Sequence, residues 1–339
     1  MDWSDQVILV TGGTGSFGKK CIEVMLKEYH PCKLIVYSRD ELKQHEMRVS
    51  GFDAPNLRYF IGDVRDRERL RRAFHGVDLV VHAAALKQVP ACEYNPMEAI
   101  KTNIMGSSNV IEAALDAGVK KVIALSTDKA VNPVNLYGAT KLAAEKLFVQ
   151  SNYYAAGTAT RYSCVRYGNV VGSRGSVVPV FLKQRQNGRV TITDERMTRF
   201  WISLEQGVRF VIRCAAEMYG GEVFVPKIPS MRVVDLARAV APDAEIEVVG
   251  IRPGEKLHEV LISEDEARST IELDDLFVVQ PAETLWATGG FGREWAERGR
   301  KLKDGFRYAS NTNDQWLDIA QIRKIIEPIE AAYFADRLD

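Results

Sequence analysis

The stretch "STDKAVNPVNLYGATK", Ser126 to Lys141, places two lysines, an aspartate and a tyrosine directly after an apolar run that begins at Val122. Tyr137 and Lys141 are four residues apart, so a helix carries both on one face, with the triplet Thr127-Asp128-Lys129 shortly before them. Phenol, ammonium and carboxyl groups are side chains that move protons in general acid–base catalysis. A tyrosine–lysine pair is also an ordinary feature of exposed helix faces. Its meaning therefore depends on the elements that carry it.

A second chemical signature lies near the N-terminus. "TGGTGSFG" follows the first apolar strand and opens a helix, with Gly12, Gly15 and Gly18 in GxxGxxG spacing and Thr14, Ser16 and Phe17 inside the loop. The first glycine permits a tight turn, the second lets backbone approach a pyrophosphate, and the third lets helix pack on strand. Backbone N–H groups and the helix dipole then favour phosphates. The next strand ends in "YSRDELKQ", where an NAD site would have an acid for the ribose 2′-hydroxyl. Here Ser38 and Arg39 come first, followed by Asp40 and Lys43. A guanidinium fork suits a 2′-phosphate, so the sequence predicts NADP over NAD. The plainer alternative pairs Arg39 and Lys43 with Asp40 or Glu41. Asp63-Val64, ending the third strand, is placed to accept from the adenine amino group.

Stepping outward, "VILVTG", "KLIVYS", "LRYFIGD", "DLVVHAAA" and "KVIALST" read as buried strands with helix-like segments between them. That alternation predicts an α/β Rossmann fold, a doubly wound parallel sheet covered on both faces. "KKCIEVMLKEY" sets Ile22, Met25 and Leu26 on one helical face, and "NPMEAIKTNIMGSSNVIEAALDAG" is a long helix ended by Gly118. From about residue 172 the rhythm breaks into shorter elements. The expected division is a dinucleotide-binding domain over 1–171 and, over 172–339, mainly a smaller substrate-binding lobe with some segments returning to the first.

Lys plus Arg and Asp plus Glu both number 45, so no global field recruits nucleic acid or an anionic membrane. "MDWSDQ" lacks the basic-then-apolar layout of a signal peptide, and no apolar run reaches the roughly 18 residues of a membrane span. Cys21, Cys32, Cys92, Cys164 and Cys214 are scattered without a CxxC pair, as expected for reduced thiols in the cytoplasm. The histidines are equally dispersed, so no metal site is expected, and His82 reads as a core or loop-edge residue.

In this setting YxxxK resembles the short-chain dehydrogenase/reductase superfamily, in its extended branch. The resemblance implies that Lys141 binds the nicotinamide ribose and lowers the Tyr137 pKa, so that a phenolate takes a proton from a substrate hydroxyl. "STDKA", "NLYGATK", "YSRDELKQ", "HAAALKQVPACEYNP", "RYGNVVGSRGSVVP", "RMTRFWI", "VPKIPSM" and "IRPGEKLHE" closely resemble the inverting UDP-N-acetylglucosamine 4,6-dehydratases, which open the route to pseudaminic acid. Retaining relatives have Thr-Asp-Glu where this chain has Thr127-Asp128-Lys129.

The implied reaction oxidises carbon 4 with help from Tyr137, Thr127 and Lys141. Lys129 then takes the hydrogen of carbon 5, Asp128 protonates the departing 6-hydroxyl, and the cofactor is regenerated. As a base near neutral pH, Lys129 requires a depressed pKa, from burial or from a neighbouring cation such as Lys87. The resemblance further implies Ala83, Ala84, Lys87 and Asn103 on the cofactor side. It places Lys87, Thr127, Asn169, Val177 and Val178 about the sugar, Arg199 and Arg252 at the diphosphate, and Glu255 at the uridine ribose. A homo-oligomer is implied, a dimer through the helix from Glu98 and the one bearing Tyr137, or a hexamer. The competing readings are a UDP-sugar epimerase, a retaining dehydratase and a non-catalytic NADP-sensing module.

Overall fold

The computed structural model describes residues 1–172, 175–281 and 293–335. Six near-continuous apolar runs form parallel strands: β1 (Val7–Thr11), β2 (Lys33–Ser38), β3 (Leu57–Ile61), β4 (Leu79–His82), β5 (Lys121–Leu125) and β6 (Arg161–Val165). They lie in the order β3-β2-β1-β4-β5-β6. The order reverses between β1 and β4, and in open α/β sheets a crevice forms at the carboxyl ends of the strands at such a point. The glycine loop leaves β1 there, and the Thr-Asp-Lys triplet leaves β5 on the same edge.

The sheet does not stop at β6. Val223–Pro226 joins it in parallel, and Leu276–Val279, Thr270–Glu272 and Arg300–Lys301 extend it antiparallel to ten strands. Trp295 is fully buried beside this extension and donates its indole N–H to Glu222 at 3.0 Å. A separate apolar cluster is built from the helices Val177–Arg185, Val233–Val240 and Ile319–Ala335, with Ile192, Trp201 and Met231 among its members. Of the segment where the rhythm breaks, residues 173 and 174 lie outside the described residues, as do 282–292 and 336–339 of the tail.

The predicted first helix is present as α1 (Ser16–Val24), which buries Ile22 and runs into a π-helical turn, Met25–Tyr29, that buries Met25. The long helix predicted to end at Gly118 does end there, with Gly118 left-handed at φ 69°. It is not uniform: Pro96–Ala99 and Gly106–Ala117 are joined by a π-helical turn, Ile100–Met105. That extra loop of backbone turns Asn103 inward. Its amide grips the strand-end loop after β4, accepting from the Leu86 N–H at 2.8 Å and donating to the Leu86 carbonyl at 2.9 Å. It also donates to Thr140 Oγ1 at 3.0 Å, tying the loop to the tyrosine helix, Leu136–Tyr154.

Candidate active site

The triplet is fixed by the strand beside it. The Ser126 N–H donates to the Val165 carbonyl at 2.6 Å and the Asp128 N–H to the Tyr167 carbonyl at 3.2 Å, so the chain leaves β5 still latched to the continuation of β6. Asp128–Ala130 then form a short 3₁₀ turn. The tyrosine helix starts against this turn, with Asn135 as its cap, accepting from the Gly138 N–H at 2.7 Å. Gly138 is required by space: a Cβ there would overlap the Lys129 carbonyl oxygen and lie 3.1 Å from its carbonyl carbon. Backbone thus rests on backbone, and Tyr137 is brought over the triplet.

Asp128 has no solvent exposure. Its Oδ1 accepts from Thr127 Oγ1 at 2.9 Å and from Lys129 Nζ at 3.0 Å, while Oδ2 has no hydrogen-bond partner among the described residues. Burial pushes this carboxyl up, and the charge of Glu259 adds to burial against the pull of Lys129. Burial also raises the Tyr137 phenol to about 12, opposed by the Lys129 charge and a hydrogen bond with Thr127.

Two expectations about these protons change. Lys129 is not depressed: burial works to lower it, but the carboxylates of Asp128 and Glu259 prevail and raise it, so it rests as an ammonium ion. Lys87 is lowered, through its own burial and the nearby Lys129 charge, and burial also lowers Lys141 and Lys256. Lys141 lines the same cavity, but its Nζ donates to the Leu125 carbonyl at 2.6 Å, and the cation acting on the phenol is Lys129.

A cavity of about 600 Å³ joins the triplet to the glycine loop. At one end are Gly12, Gly15, Ser16, Phe17, Gly18 and Ala83; at the other are Lys87, Thr127, Lys129, Tyr137 and Lys141, with Asn169, Val177 and Val178 along the side. The loop is a backbone cradle. Gly12 is left-handed at φ 64°, and a Cβ on it would meet the Ala84 N–H nitrogen at 2.9 Å; one on Gly18 would lie 2.5 Å from the Gly12 carbonyl oxygen. Helix α1 opens on this cradle without a side-chain cap. Those features fit a dinucleotide pyrophosphate at a helix N-terminus. Thr14 Oγ1 lies 2.8 Å from Ser38 Oγ, fastening the loop to the end of β2. Arg39 is more than half exposed, 3.6 Å from Asp63, and Lys43 pairs with Asp40. Val64 is buried beneath the helix start at Gly106.

The remaining expected ligands fall elsewhere. Arg199 does not line this cavity; it is buried, with its guanidinium donating to the carbonyls of Thr198 at 2.7 Å, Lys256 at 3.0 Å and Leu257 at 3.1 Å. Its partner Glu255 is 3.7 Å away, and Glu255 accepts from the backbone N–H of the exposed Arg252 at 3.3 Å. Sequence reasoning missed Glu259 and Lys256, both inside the quoted "GEKLHE", and Gln88, Tyr167 and Trp201 in the cavity wall. It also missed a buried network behind the triplet. Arg166 donates to Glu145 at 2.5 Å, to Glu266 at 2.8 Å and to the Leu261 carbonyl at 2.8 Å, and Ser126 Oγ donates to Glu145 at 2.6 Å.

Over residues 8–281 the chain matches the family described as "Polysaccharide biosynthesis protein". The chain belongs to that family. It is 55% identical over 331 residues to the UDP-N-acetylglucosamine 4,6-dehydratase (inverting) of Campylobacter jejuni, covering 95% of this chain and 98% of that relative. A UDP-glucose 4-epimerase of Rickettsia conorii is 44% identical over 281 residues, 80% of this chain and 82% of its own length. Among solved structures, Pen from Bacillus thuringiensis has a TM-score of 0.87 at 36% identity, covering 97% and 99% of the two chains. DesIV of Streptomyces venezuelae, a dTDP-glucose 4,6-dehydratase solved with NAD and TYD bound, has a TM-score of 0.65 at 22% identity over 74% of this chain and 86% of its own. The α/β doubly wound fold expected from the sequence is therefore the fold these relatives share. Among the described residues, no helix is long and apolar enough to cross a membrane.

Proposed function

We propose that the protein is an inverting UDP-N-acetylglucosamine 4,6-dehydratase, a lyase yielding the UDP-linked 4-keto-6-deoxy sugar of β-L-arabino configuration. The observation that carries this reading is the direct hydrogen bond, 3.0 Å, between Lys129 Nζ and the wholly buried Asp128, beneath Tyr137 and at one end of the dinucleotide-sized cavity. An epimerase needs to oxidise carbon 4 but has no use for an acid and a base at carbons 6 and 5.

When bound, the nicotinamide dinucleotide supplies hydride exchange, taking a hydride from carbon 4 and returning it at carbon 6. The glycine cradle would hold its pyrophosphate, and Arg39 with Lys43 favours NADP through the 2′-phosphate. Tyr137 takes the proton of the 4-hydroxyl as a phenolate, after releasing its own proton to solvent, with Thr127 and Lys129 drawing the phenol down against burial. Ketone formation acidifies the hydrogen on carbon 5. Moving one proton along Nζ–H···Oδ1 turns the Asp128–Lys129 ion pair into a carboxylic acid beside a neutral amine, without change of net charge. The amine then takes the hydrogen of carbon 5, and the acid gives its proton to the 6-hydroxyl, which leaves as water. The pair ends as the ion pair it began as. A solvent proton delivered to carbon 5 on the opposite face sets the inverted configuration.

Residues 1–171 would hold the dinucleotide and 172–339 mainly the sugar nucleotide, in a cytoplasmic homo-oligomer (dimer or hexamer) feeding pseudaminic acid synthesis. Exposed Met97 and Met105 on the long helix support a self-association surface. The decisive experiment is NMR of the product formed from UDP-N-acetylglucosamine in D₂O. The expected product lacks the 6-hydroxyl, carries deuterium at carbon 5 and has the β-L-arabino configuration. A 4-epimer that retains oxygen at carbon 6 would return the epimerase reading, and a D-xylo product the retaining one.

A further inference from the structure

Glu259 stands far along the chain from the triplet, just before the strand Val260–Ile262, yet it reaches the same proton-carrying groups. Its backbone is clamped to Ser310, its N–H donating to Ser310 Oγ at 2.9 Å and its carbonyl accepting from the Ser310 N–H at 2.8 Å. Its side chain is 2% exposed. Oε1 lies 3.5 Å from Lys129 Nζ and 3.8 Å from Arg199 Nε, and Oε2 lies 3.7 Å from Lys256 Nζ. Oε2 accepts no hydrogen bond from any described residue. Such a carboxylate is held mainly by surrounding charge, with Lys129 the partner closest to it. Burial alone would neutralise it; Lys129, Arg199 and Lys256 overcome burial and keep it ionised.

The titratable and charged groups facing this pocket are Lys129 and Asp128 from the turn after β5, Arg199 from the strand Thr198–Ser203 and Lys256 from the preceding loop, with Lys87 after β4 and Tyr137 on its helix facing Lys129 from the cavity side. We propose that Glu259 is a positioning residue for the Asp128–Lys129 pair, the fixed counter-ion whose charge lets Lys129 stay an ammonium ion without Asp128 as its sole partner. The proposal rests on the dehydratase reading and deepens it. The spacing matters, because Lys129 donates a hydrogen bond to Asp128 at 3.0 Å but meets Glu259 only at 3.5 Å. Held closely by Asp128 and only loosely by Glu259, Nζ can swing toward carbon 5 and still remain within the field of that carboxylate.

A sign follows. The working pair carries one proton, on nitrogen or on oxygen. A negative Glu259 raises the proton affinity of both partners, so in acid the second, inactivating proton arrives at a higher pH than it otherwise would. Glu259→Gln should therefore move the acid limb of the kcat/KM profile to lower pH, by about one unit or more, the scale of one charge removed at close range. Glu259→Asp keeps the charge and should keep the limb near its wild-type position, even where turnover falls.

The test measures both variants and wild type on UDP-N-acetylglucosamine from pH 5 to 9, with product read by NMR. In parallel, ¹³Cγ-aspartate spectra of the purified enzymes follow the Asp128 carboxyl over the acid limb, identified by the loss of its signal in Asp128→Asn. The expected spectrum has Asp128 titrating at lower pH in Glu259→Gln than in wild type or Glu259→Asp. An acid limb or an Asp128 signal unmoved in Glu259→Gln would overturn the proposal, as would equal shifts in the two variants. If wild type forms no dehydrated sugar, the proposed reaction falls, and the aspartate spectra still decide whether Glu259 governs the Asp128–Lys129 pair.

Discussion

Replacing Gly138 by alanine puts a methyl group where the tyrosine helix rests on the Asp128–Ala130 turn. The new Cβ would overlap the Lys129 carbonyl oxygen and lie 3.1 Å from both the Lys129 carbonyl carbon and Pro133 Cβ. Ordinary carbon–oxygen approaches are about 3.3 Å or more, so helix and turn must separate by a distance on the order of 1 Å. Neither side yields easily. The turn is latched by the hydrogen bond from the Asp128 N–H to Tyr167, and the helix start by those from the Gly138 N–H to Asn135 and from Asn135 Nδ2 to the Gly254 carbonyl at 2.8 Å. Overpacking of this kind costs about 1–3 kcal/mol, which leaves a protein of this size folded. The displacement falls between Tyr137 and Lys129, and a misplacement of about 1 Å at reacting groups lowers rate by roughly 100-fold. The expected result is therefore a kcat reduced by about two orders of magnitude, with far-UV circular dichroism and UDP affinity near wild type. Wild-type kcat in a well-folded Gly138→Ala enzyme would refute the claim that backbone contact at this point sets the geometry.

Tyr137→Phe should lower kcat by roughly 10²–10⁴-fold, the usual worth of a general acid–base group, while calorimetry shows unchanged UDP binding. Substantial residual turnover would assign proton removal at carbon 4 elsewhere. Arg39→Asp should weaken NADP relative to NAD by about 2 kcal/mol, the scale of a charge-assisted hydrogen bond, and equal affinities of the unmodified protein for both would count against the 2′-phosphate role. Arg166→Met should destabilise the fold by about 3–5 kcal/mol in urea, because it leaves the buried Glu145 and the half-buried Glu266 without their cation. Burial works to raise Glu266, but Arg166 outweighs it and holds that carboxyl below its ordinary range. The stability Glu266 contributes is therefore present above the unfolded carboxyl pKa and lost as pH falls through the lower folded value. The gap in urea midpoint between wild type and Arg166→Met should accordingly narrow in acid, and a gap constant down to pH 3 would contradict the pairing.

What could be read from the sequence was local. The glycine loop is a strand, a turn and a helix in immediate succession, so its spacing alone describes a cradle. Tyr137 and Lys141 share a face by helical geometry, whatever the rest of the chain does. The strands Thr270–Glu272 and Arg300–Lys301 carried no such signal, since each is short and finds its antiparallel partner only in the folded sheet. The π turn at Ile100–Met105 was hidden for a different reason. Its residues continue a helical pattern, and the extra residue is absorbed because Asn103 gains the Leu86 and Thr140 bonds.

The protonation of the site was the least legible feature, and the reason is physical. The fate of a lysine proton depends on the difference between desolvation, which removes it, and neighbouring carboxylates, which keep it. For Lys129 one carboxylate is adjacent in sequence and the other, Glu259, arrives from the far side of the chain. Burial and the Arg199 charge work to lower the Lys129 pKa, and the carboxylates of Asp128 and Glu259 together outweigh them, so Lys129 is held in the ammonium form. In the proposed mechanism the same arrangement lets Lys129 serve as base without being neutral at rest. A proton shared over 3.0 Å with a buried carboxyl of raised pKa can cross when substrate displaces solvent from the cavity, creating acid and base in one transfer. A lysine beside a carboxyl pushed up by burial and by a second carboxylate thus suits the proposed elimination, because one proton transfer within the pair would make both the acid and the base.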